Sequence, residues 1–275
     1  MSKRILMVLS EYGYWGEELV GPLEKFDARG YRTTFMTPTG KRAHALPPSL
    51  DPDYIDAPLG RSVTTADMAR RATELDESSR LDNPLSLMEL IPERPYYSAL
   101  NHLRELEDYN RRLEEALEGV LSSFDALVIV GGSGPIVDLA NNERLHELIM
   151  AFIAADKPIL GECYGVAPLA FARDLETRAS LLWGKHVTGH PKEYDYKDGT
   201  GFLGVDFNMG PPPYPLEYIL RDAVGPDGGF HGNVGKELSV IVDYPFVTAR
   251  STPDSTLSGE LLIEVLENGL RRYGW

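Results

Sequence analysis

Cysteine is the scarcest residue type in this 275-residue chain, which contains Cys163 and no other. A single thiol excludes an internal disulfide framework and is typical of proteins kept in a reducing compartment, so we expect a cytoplasmic protein. Positive charge is also limited, because 27 Lys and Arg stand against 42 Asp and Glu and leave a formal net charge of −15. Repulsion from phosphate groups then argues against nucleic acid or an anionic membrane as a partner.

Long apolar runs are absent as well. No stretch approaches the roughly 20 residues that a membrane-spanning helix needs, and the apolar run at residues 5–9 is too short for a signal peptide. The six histidines are scattered singly, without the spacing of a metal site. The sequence therefore predicts neither a metal nor a cofactor, and it predicts no membrane partner.

The chain does contain an alternation of apolar strands and amphipathic helices. Residues 4–9 are a continuous apolar run, typical of a buried parallel strand, and residues 17–28 have apolar side chains at helical spacing. A second strand at 31–37 completes a β-α-β unit, which favours a doubly wound, mostly parallel α/β sheet of the flavodoxin-like type. Further predicted elements are strands at 126–130 and 158–160, an edge hairpin of 238–243 and 246–249, and helices at 141–155, 216–223 and 258–272.

Residues 41–121 interrupt this alternation. They contain proline-rich loops and two predicted helices, at 63–77 and 99–120, the second with leucines spaced for one buried face. We interpret the chain as a single domain, residues 1–275, in which 41–121 is a helical insertion that covers one edge of the sheet. The pattern leaves open whether the insertion is a lid or an oligomer surface.

The stretch at residues 157–168 reads Lys-Pro-Ile-Leu-Gly-Glu-Cys-Tyr-Gly-Val-Ala-Pro and joins a short strand to a helix through a tight turn. A nucleophile flanked by glycines at such a junction is a nucleophile elbow, here with Cys163 in place of serine. A lone cysteine is otherwise most often a buried structural thiol. The position of Cys163 in the turn favours the nucleophile. The N-terminus of the following helix is expected to lower the pKa of this thiol.

A second glycine-rich turn, Gly131-Gly132-Ser133-Gly134, directly follows the strand at 126–130. Glycines after a strand can cradle a phosphate. The dinucleotide spacing Gly-x-Gly-x-x-Gly and the Gly-Lys-Ser/Thr of phosphate loops are both missing, so the sequence pattern for either site is incomplete.

Together these segments resemble the ThiJ/PfpI superfamily, within the class I glutamine-amidotransferase-like fold. The resemblance is carried by residues 124–134, 161–165 and 17–22, with support from Val-Thr-Gly-His-Pro at 187–191 and from 247–251. It covers both ends of the chain and its middle but not residues 41–121. It implies the same α/β fold and a cysteine nucleophile.

The resemblance also implies roles for single residues. In the family, a glutamate four residues before a proline reaches the cysteine, and Glu18 and Pro22 match that spacing. Glu17 is then a bystander that complements the helix dipole. In the deglycase branch a His-Pro after a Val-Thr strand lies near the cysteine, and His190 matches it. We expect His190 to tune activity without being essential.

The remaining expected site residues surround Cys163. The oxyanion donors implied by the family are backbone amides of Gly132, Ser133 and Tyr164. The pocket is expected to include Tyr12, Trp15, Glu162 and His186, and the Gly- and Pro-rich stretch 192–215 is expected near its mouth. Other branches of the family carry histidine directly after the cysteine. Because that position is Tyr164 here, their Cys-His-acid triad is not expected, and peptidase activity is doubtful.

The resemblance and the residues together predict a cofactor-independent cysteine enzyme that acts on a small carbonyl or acyl-type substrate. A glyoxalase-like or deglycase-like hydro-lyase fits best, with Cys163 as thiolate and Glu18 as proton carrier. One alternative is a hydrolase or hydratase of a small amide, ester or isonitrile. A second alternative is a non-enzymatic stress chaperone or oxidation sensor, in which Cys163 forms a sulfinic acid. A homodimer is expected, because family members usually pair.

Overall fold

The computed structural model describes residues 2–56, 58–97, 100–195 and 215–275. Its strands, numbered along the chain, are β1 Arg4–Val8, β2 Arg32–Thr37, β3 Ile55–Asp56, β4 Arg61–Ser62, β5 Leu85–Ser86, β6 Ala126–Ile129, β7 Ile159–Glu162, β8 His186–Val187, β9 Gly229–Phe230, β10 Val240–Asp243, β11 Phe246–Ala249 and β12 Arg272–Tyr273.

The helices are numbered in the same way. They are α1 Gly16–Ala28, α2 Ala66–Glu77, α3 Leu87–Leu90, α4 His102–Ser123, α5 Pro135–Asp138, α6 Glu143–Ala154, α7 Ala167–Phe171, α8 Lys192–Asp195, α9 Leu216–Val224 and α10 Ser255–Asn268. None of the described helices is long and apolar enough to cross a membrane.

Eight strands form one sheet in the order β12-β10-β11-β7-β6-β1-β2-β5. The six strands from β11 to β5 pair in parallel with one another, and only β10 runs in the opposite direction. The end strand β12 pairs antiparallel with β10 and therefore runs in the same direction as the other six. From β1 the chain moves outward to β2 and β5, and it then returns on the other side of β1 to build β6, β7 and β11. This reversal creates a crevice at the C-terminal ends of β1 and β6, where doubly wound sheets bind their ligands.

Helices cover both faces of the sheet, as the apolar runs predict. In β1, Ile5 and Met7 face one core layer and Leu6 and Val8 face the other, because successive side chains of a strand point to opposite sides. The first layer is closed by α1 and α10, and the second by α4, α6, α7 and α9. The expected doubly wound α/β fold is confirmed.

Helices α1 and α10 approach closely because each has a glycine at their contact. A Cβ on Gly21 would lie 2.7 Å from the Cβ of Ser255, and one on Gly259 would lie 2.7 Å from the Cα of Pro22. Real Cβ atoms do not come this near, so only glycine fits at either position. This close packing brings the first turn of α1, which carries Glu18, against β7 and the start of α10.

Two expectations about the sheet need correction. The hairpin of β10 and β11 is not at the edge, because β11 pairs with β7 and β10 pairs with β12. Residues 85–86, expected in a broken loop, add the parallel strand β5 beside β2. The short hairpin β3–β4, also within residues 41–121, pairs with itself and stands apart from the main sheet.

Candidate active site

The turn after β7 holds Cys163 in a left-handed conformation, with φ of +52°. A non-glycine residue is strained there, and such strain persists where the surrounding structure fixes it. The turn Cys163–Val166 is a single 3₁₀ turn, followed at once by α7. The opposing loop is pressed against it, since a Cβ on Gly165 would lie 2.3 Å from the carbonyl oxygen of Ile129. The expected nucleophile elbow is therefore present.

Glu18 reaches the sulfur from the first turn of α1. Its side chain is 1% exposed, and its carboxyl contacts the Cys163 thiol and the amide of Gly132. The missing side chain of Gly131 makes this contact possible, because a Cβ there would lie 2.3 Å from Glu18 Oε2 and 2.7 Å from the Cβ of Cys163. Glu17 faces away, toward Arg71, as expected for a bystander.

His190 contacts the other side of the thiol. Its Nδ1 lies 3.3 Å from Cys163 Sγ, and its Nε2 lies 3.1 Å from Asp195 Oδ1. A carboxylate at Nε2 holds the proton on that nitrogen and leaves Nδ1 free to accept the thiol proton. Cys163, His190 and Asp195 thus contact one another in the order of a Cys-His-acid triad.

Tyr164 holds the side chains of His190 and Asp195 in place. Its hydroxyl donates a hydrogen bond to Asp195 Oδ1, and its ring stacks on the imidazole of His190 with centroids 4.5 Å apart. The ring of Tyr194 meets the same imidazole edge-on at 5.6 Å. The imidazole is therefore packed on two sides and bonded at both nitrogens, which fixes its orientation.

Two backbone amides, of Gly132 and Tyr164, make hydrogen bonds to the Cys163 sulfur. Gly132 has a φ of +95°. A Cβ at this position would lie 2.6 Å from the backbone nitrogen of Trp15, so no side chain fits. Ser133 follows in the same loop and lines the cavity above the thiol. The amides of Gly132 and Tyr164 are thus placed where negative charge would develop on a substrate.

These groups open into a cavity of about 440 Å³. One side is formed by the catalytic turns together with Trp15 and the segment 251–253. The opposite side, here called the insertion wall, comes from residues 41–121 and consists of Asp56, Leu59, Arg61, Ser62, Val63, Thr64 and Thr65. Among the described residues, no three His, Cys, Asp or Glu side chains cluster as a metal site requires.

Comparison with known proteins agrees with this geometry. A family model described as ThiJ/PfpI family-like matches residues 9–190, which include Glu18, the elbow and His190. The chain belongs to the ThiJ/PfpI-like family.

The individual curated proteins and solved structures that resemble the chain share less than a third of its residues. The chain is 28% identical over 137 residues to the glutamine amidotransferase-like class 1 domain-containing protein 1 of Bos taurus, which covers 50% of the chain and 56% of that relative. The chain thus spans about half the length of this curated protein. Solved structures with the same fold include Rapid Encystment Protein 24 KDa of Francisella tularensis, with 19% identity, TM-score 0.66 and coverage of 96% of the chain and 99% of the relative. Glyoxalase III of Candida albicans has 15% identity, TM-score 0.64 and coverage of 97% and 98%.

This ThiJ/PfpI-like chain has Tyr164 where other branches carry histidine, so it does not build a Cys-His-acid arrangement as they do. A comparable arrangement forms here from other positions. The imidazole is supplied by His190 and the acid by Asp195, and Tyr164 supports both. Sequence reasoning missed Asp195, although it follows His190 by five residues. The spacing of an acid shortly after a candidate base was the available signal, and by itself it does not place the carboxylate at the imidazole.

Three residues expected in the pocket lie elsewhere. Tyr12 is 60% exposed outside the cavity. Glu162 points behind the elbow, where it is fully buried and accepts a hydrogen bond from Ser258, since its place on β7 faces α10. His186 pairs with His231 at 2.8 Å and stacks on Trp275. Trp15 does line the cavity.

The stretch 192–215 is described only in part. Tyr194 and Asp195 line the cavity, as expected for a segment near its mouth. Residues 196–214 lie outside the described part of the chain.

The expected low pKa of the thiol is not supported. Burial raises the pKa of Cys163 above its ordinary value, the charge of Glu18 raises it further, and the amides of Gly132 and Tyr164 offset only part of this. Burial also raises the pKa of Glu18, helped by the nearby Glu162. Burial therefore favours the protonated forms of the thiol and the carboxyl, and the contact between the two groups favours the protonated thiol.

We predict that alkylation of Cys163 by iodoacetamide, followed against pH, has a midpoint above the value of about 8.5 for an ordinary thiol. Glu18→Gln should lower this midpoint, because a neutral amide does not repel the thiolate as the carboxylate does. Glu24→Gln is the matched control on the exposed face of α1, where Glu24 pairs with Arg71, and it should leave the midpoint unchanged. A wild-type midpoint below about 7.5 would show that the amides outweigh burial.

Proposed function

We propose that this chain is a cofactor-independent cysteine enzyme of the glyoxalase or deglycase type, acting on a small carbonyl substrate. The observation that carries the proposal is the convergence of two proton-handling groups on one sulfur. The Glu18 carboxyl contacts the Cys163 thiol on one side, and His190 Nδ1 lies 3.3 Å away on the other. An acid and a base beside one nucleophile are suited to carbonyl addition.

Addition of the sulfur to the carbonyl begins with removal of the thiol proton. His190 accepts it at Nδ1 as sulfur attacks the carbonyl carbon, and Asp195 stabilises the imidazolium that forms. This transfer explains how a buried thiol with a raised pKa can act as a nucleophile. The thiolate exists only when an electrophile is bound and does not have to persist in a buried site.

The carbonyl oxygen gains negative charge as sulfur adds. The amides of Gly132 and Tyr164, which face the sulfur in the free protein, are within reach of that oxygen. Burial raises the pKa of Glu18 well above its ordinary value, which favours the protonated carboxyl that donates a proton to the oxygen in this step. The product of this step is a neutral hemithioacetal, and Glu18 is left as a carboxylate.

A 1,2-dicarbonyl substrate allows the reaction to continue without a cofactor. The Glu18 carboxylate can remove the proton from the hemithioacetal carbon and return it to the neighbouring carbonyl carbon. The hydroxyl proton of the hemithioacetal passes to the oxygen of that neighbouring carbon, which gives a 2-hydroxy thioester. Water hydrolyses the thioester and restores the thiol. One carbon is oxidised and its neighbour reduced, so no external electron carrier is needed.

One alternative keeps independent support. A triad-like arrangement of Cys163, His190 and Asp195 is also suited to acyl transfer, so hydrolysis of a small amide or ester remains the second candidate. The cavity of about 440 Å³ argues against a pure oxidation sensor, which has no need of an enclosed substrate site.

We predict that the protein converts methylglyoxal to lactate without glutathione, as followed by proton NMR. Cys163→Ala and Glu18→Gln should abolish conversion, because they remove the nucleophile and the transferable proton. Asp195→Asn should lower kcat by about 100-fold or more, since a general base loses its orienting acid.

The matched control for this series is Asp222→Asn, an exposed aspartate on α9, which should keep wild-type kcat. Full activity in Asp195→Asn would show that His190 acts without its acid. No conversion by the wild type, with hydrolysis of an amide or ester panel instead, would establish the second candidate.

We also propose that the chain forms a homodimer through the residues that lead into α4. Tyr96 and Tyr97 are 78% and 88% exposed, and Leu100 and Leu103 are fully or largely exposed. Large exposed apolar side chains close together in the chain are typical of an interaction surface.

Light scattering at micromolar concentration should give twice the mass of the chain. The double substitution Leu100→Glu and Leu103→Glu should shift the protein to a monomer, because it places charge in an apolar interface. Leu175→Glu, at an exposed leucine elsewhere, should leave the mass unchanged. A wild-type protein with the monomer mass would contradict the proposal.

A further inference from the structure

The insertion wall places one strong cation at the cavity. Arg61 lies on β4, lines the cavity and is exposed at its mouth. Among the described residues that line the cavity, it is the one guanidinium or ammonium group, and its side chain makes no hydrogen bond or ion pair with any described residue. Most other arginines of the protein are paired, as Arg70 is with Asp67 and Glu74. An unpaired guanidinium beside a reactive centre is typical of a site for an anionic group.

The nearest carboxylate does not neutralise Arg61. Asp56 is its register partner across the β3–β4 hairpin, but the two side chains are not within ion-pair distance. The Asp56 carboxyl instead accepts a hydrogen bond from the amide of Leu59 at 2.9 Å. Burial raises the pKa of Asp56, and the charge of Arg61 offsets part of this rise without a direct ion pair between the two side chains. The charge of Arg61 is therefore available to a ligand.

The same wall has an unused hydroxyl. Thr64 lies three residues after Arg61, lines the cavity and is 4% exposed. Its Oγ1 is buried and has no hydrogen-bond partner among the described residues, and the same is true of Trp15 Nε1 across the cavity. Buried polar atoms are nearly always paired in native proteins, so unpaired ones at a cavity point to a ligand that pairs them.

Apolar side chains line the cavity together with Arg61 and the reactive sulfur. Leu59 and Val63 line the insertion wall, and Pro253 lies on the other side. A three-carbon dicarbonyl fills only a small part of a cavity of about 440 Å³, so it leaves this apolar region and Arg61 without a partner. The lining suits a longer molecule with a reactive end, an apolar middle and a charged end.

We propose that the substrate is a carbonyl compound with a terminal carboxylate, whose carbonyl lies at Cys163 and whose carboxylate is bound by Arg61 with help from the Thr64 hydroxyl. The substrate class rests on the proposed function, whereas binding of the carboxylate does not. Arg61 is a specificity-determining residue in this arrangement and takes no part in the bond-making steps.

Turnover of two matched dicarbonyls tests the proposal. One is 4,5-dioxopentanoate, and the other is 5-methyl-2-oxohexanal, in which an isopropyl group replaces the carboxylate. The wild type should have a kcat/KM for the anionic compound about tenfold or more above that for the neutral one, the size of one charge-assisted hydrogen bond. Arg61→Gln should reduce this ratio about tenfold, mainly through KM.

Two further variants separate charge from structure. Arg61→Lys should recover part of the ratio, because it keeps the charge and loses the bidentate geometry. Arg70→Gln, on the exposed face of α2, is the control and should leave the ratio at its wild-type value. Thr64→Val should raise KM for the anionic compound by several-fold, as expected for one lost hydrogen bond.

Binding without turnover separates this proposal from the proposed function. Cys163→Ser protein is titrated by NMR with 4-oxopentanoate and with neutral 5-methylhexan-2-one. Tighter binding of the anion by about tenfold, lost on adding Arg61→Gln, supports the subsite even if no dicarbonyl is turned over. Equal binding of the two ketones, or a preference that survives Arg61→Gln, overturns it.

Discussion

The close approach of two turns is the constraint on which the site depends. The turn of Cys163, held at a φ of +52°, packs against the loop that follows β6. Gly131 has no side chain, and a Cβ there would collide with Glu18 Oε2, the carbonyl of Glu162 and the Cβ of Cys163. Because that side chain is absent, the Glu18 carboxyl on α1 can reach the Cys163 sulfur across two neighbouring strands. The parallel sheet places the remaining parts of the site together, because it brings the ends of β1, β6 and β7 to one edge.

Burial sets the charge states at this edge. A thiol and a carboxyl in contact, both shielded from water, hold their protons, because the interior penalises each charge and one charge repels the other. The Cys163 thiol can then react only if a nearby base accepts its proton, and this base becomes charged only when substrate is bound. His190 can be that base because Asp195 and Tyr164 fix its tautomer and orientation. In this chain the residue after the cysteine supports the imidazole instead of supplying it.

The parts of the structure that the sequence could predict are those encoded locally. Continuous apolar runs marked the central strands, the Gly-Glu-Cys-Tyr-Gly turn marked the elbow, and apolar residues at helical spacing marked α1. The contact of Glu18 with the cysteine was expected only from the family resemblance. Asp195 could not be placed in this way, because its contact with His190 depends on how α8 folds back over the elbow. Glu162 was misplaced because a neighbour of Cys163 in sequence points to the opposite side of the strand. The insertion wall has no local signal at all, since its hairpin faces the cavity only in the folded chain.

The central claim is that Cys163 adds to the carbonyl with His190 as base, while Glu18 supplies the proton that allows the reaction to proceed. The most direct measurement is the intact mass of Glu18→Gln protein after incubation with methylglyoxal, compared with the same variant carrying Cys163→Ser. Addition should still occur in Glu18→Gln, because His190 is intact, and the adduct should accumulate because the transferable proton is missing. The account predicts one extra substrate mass per chain that depends on Cys163. An equal gain in mass for the two proteins, with a wild type that turns over methylglyoxal, would contradict it.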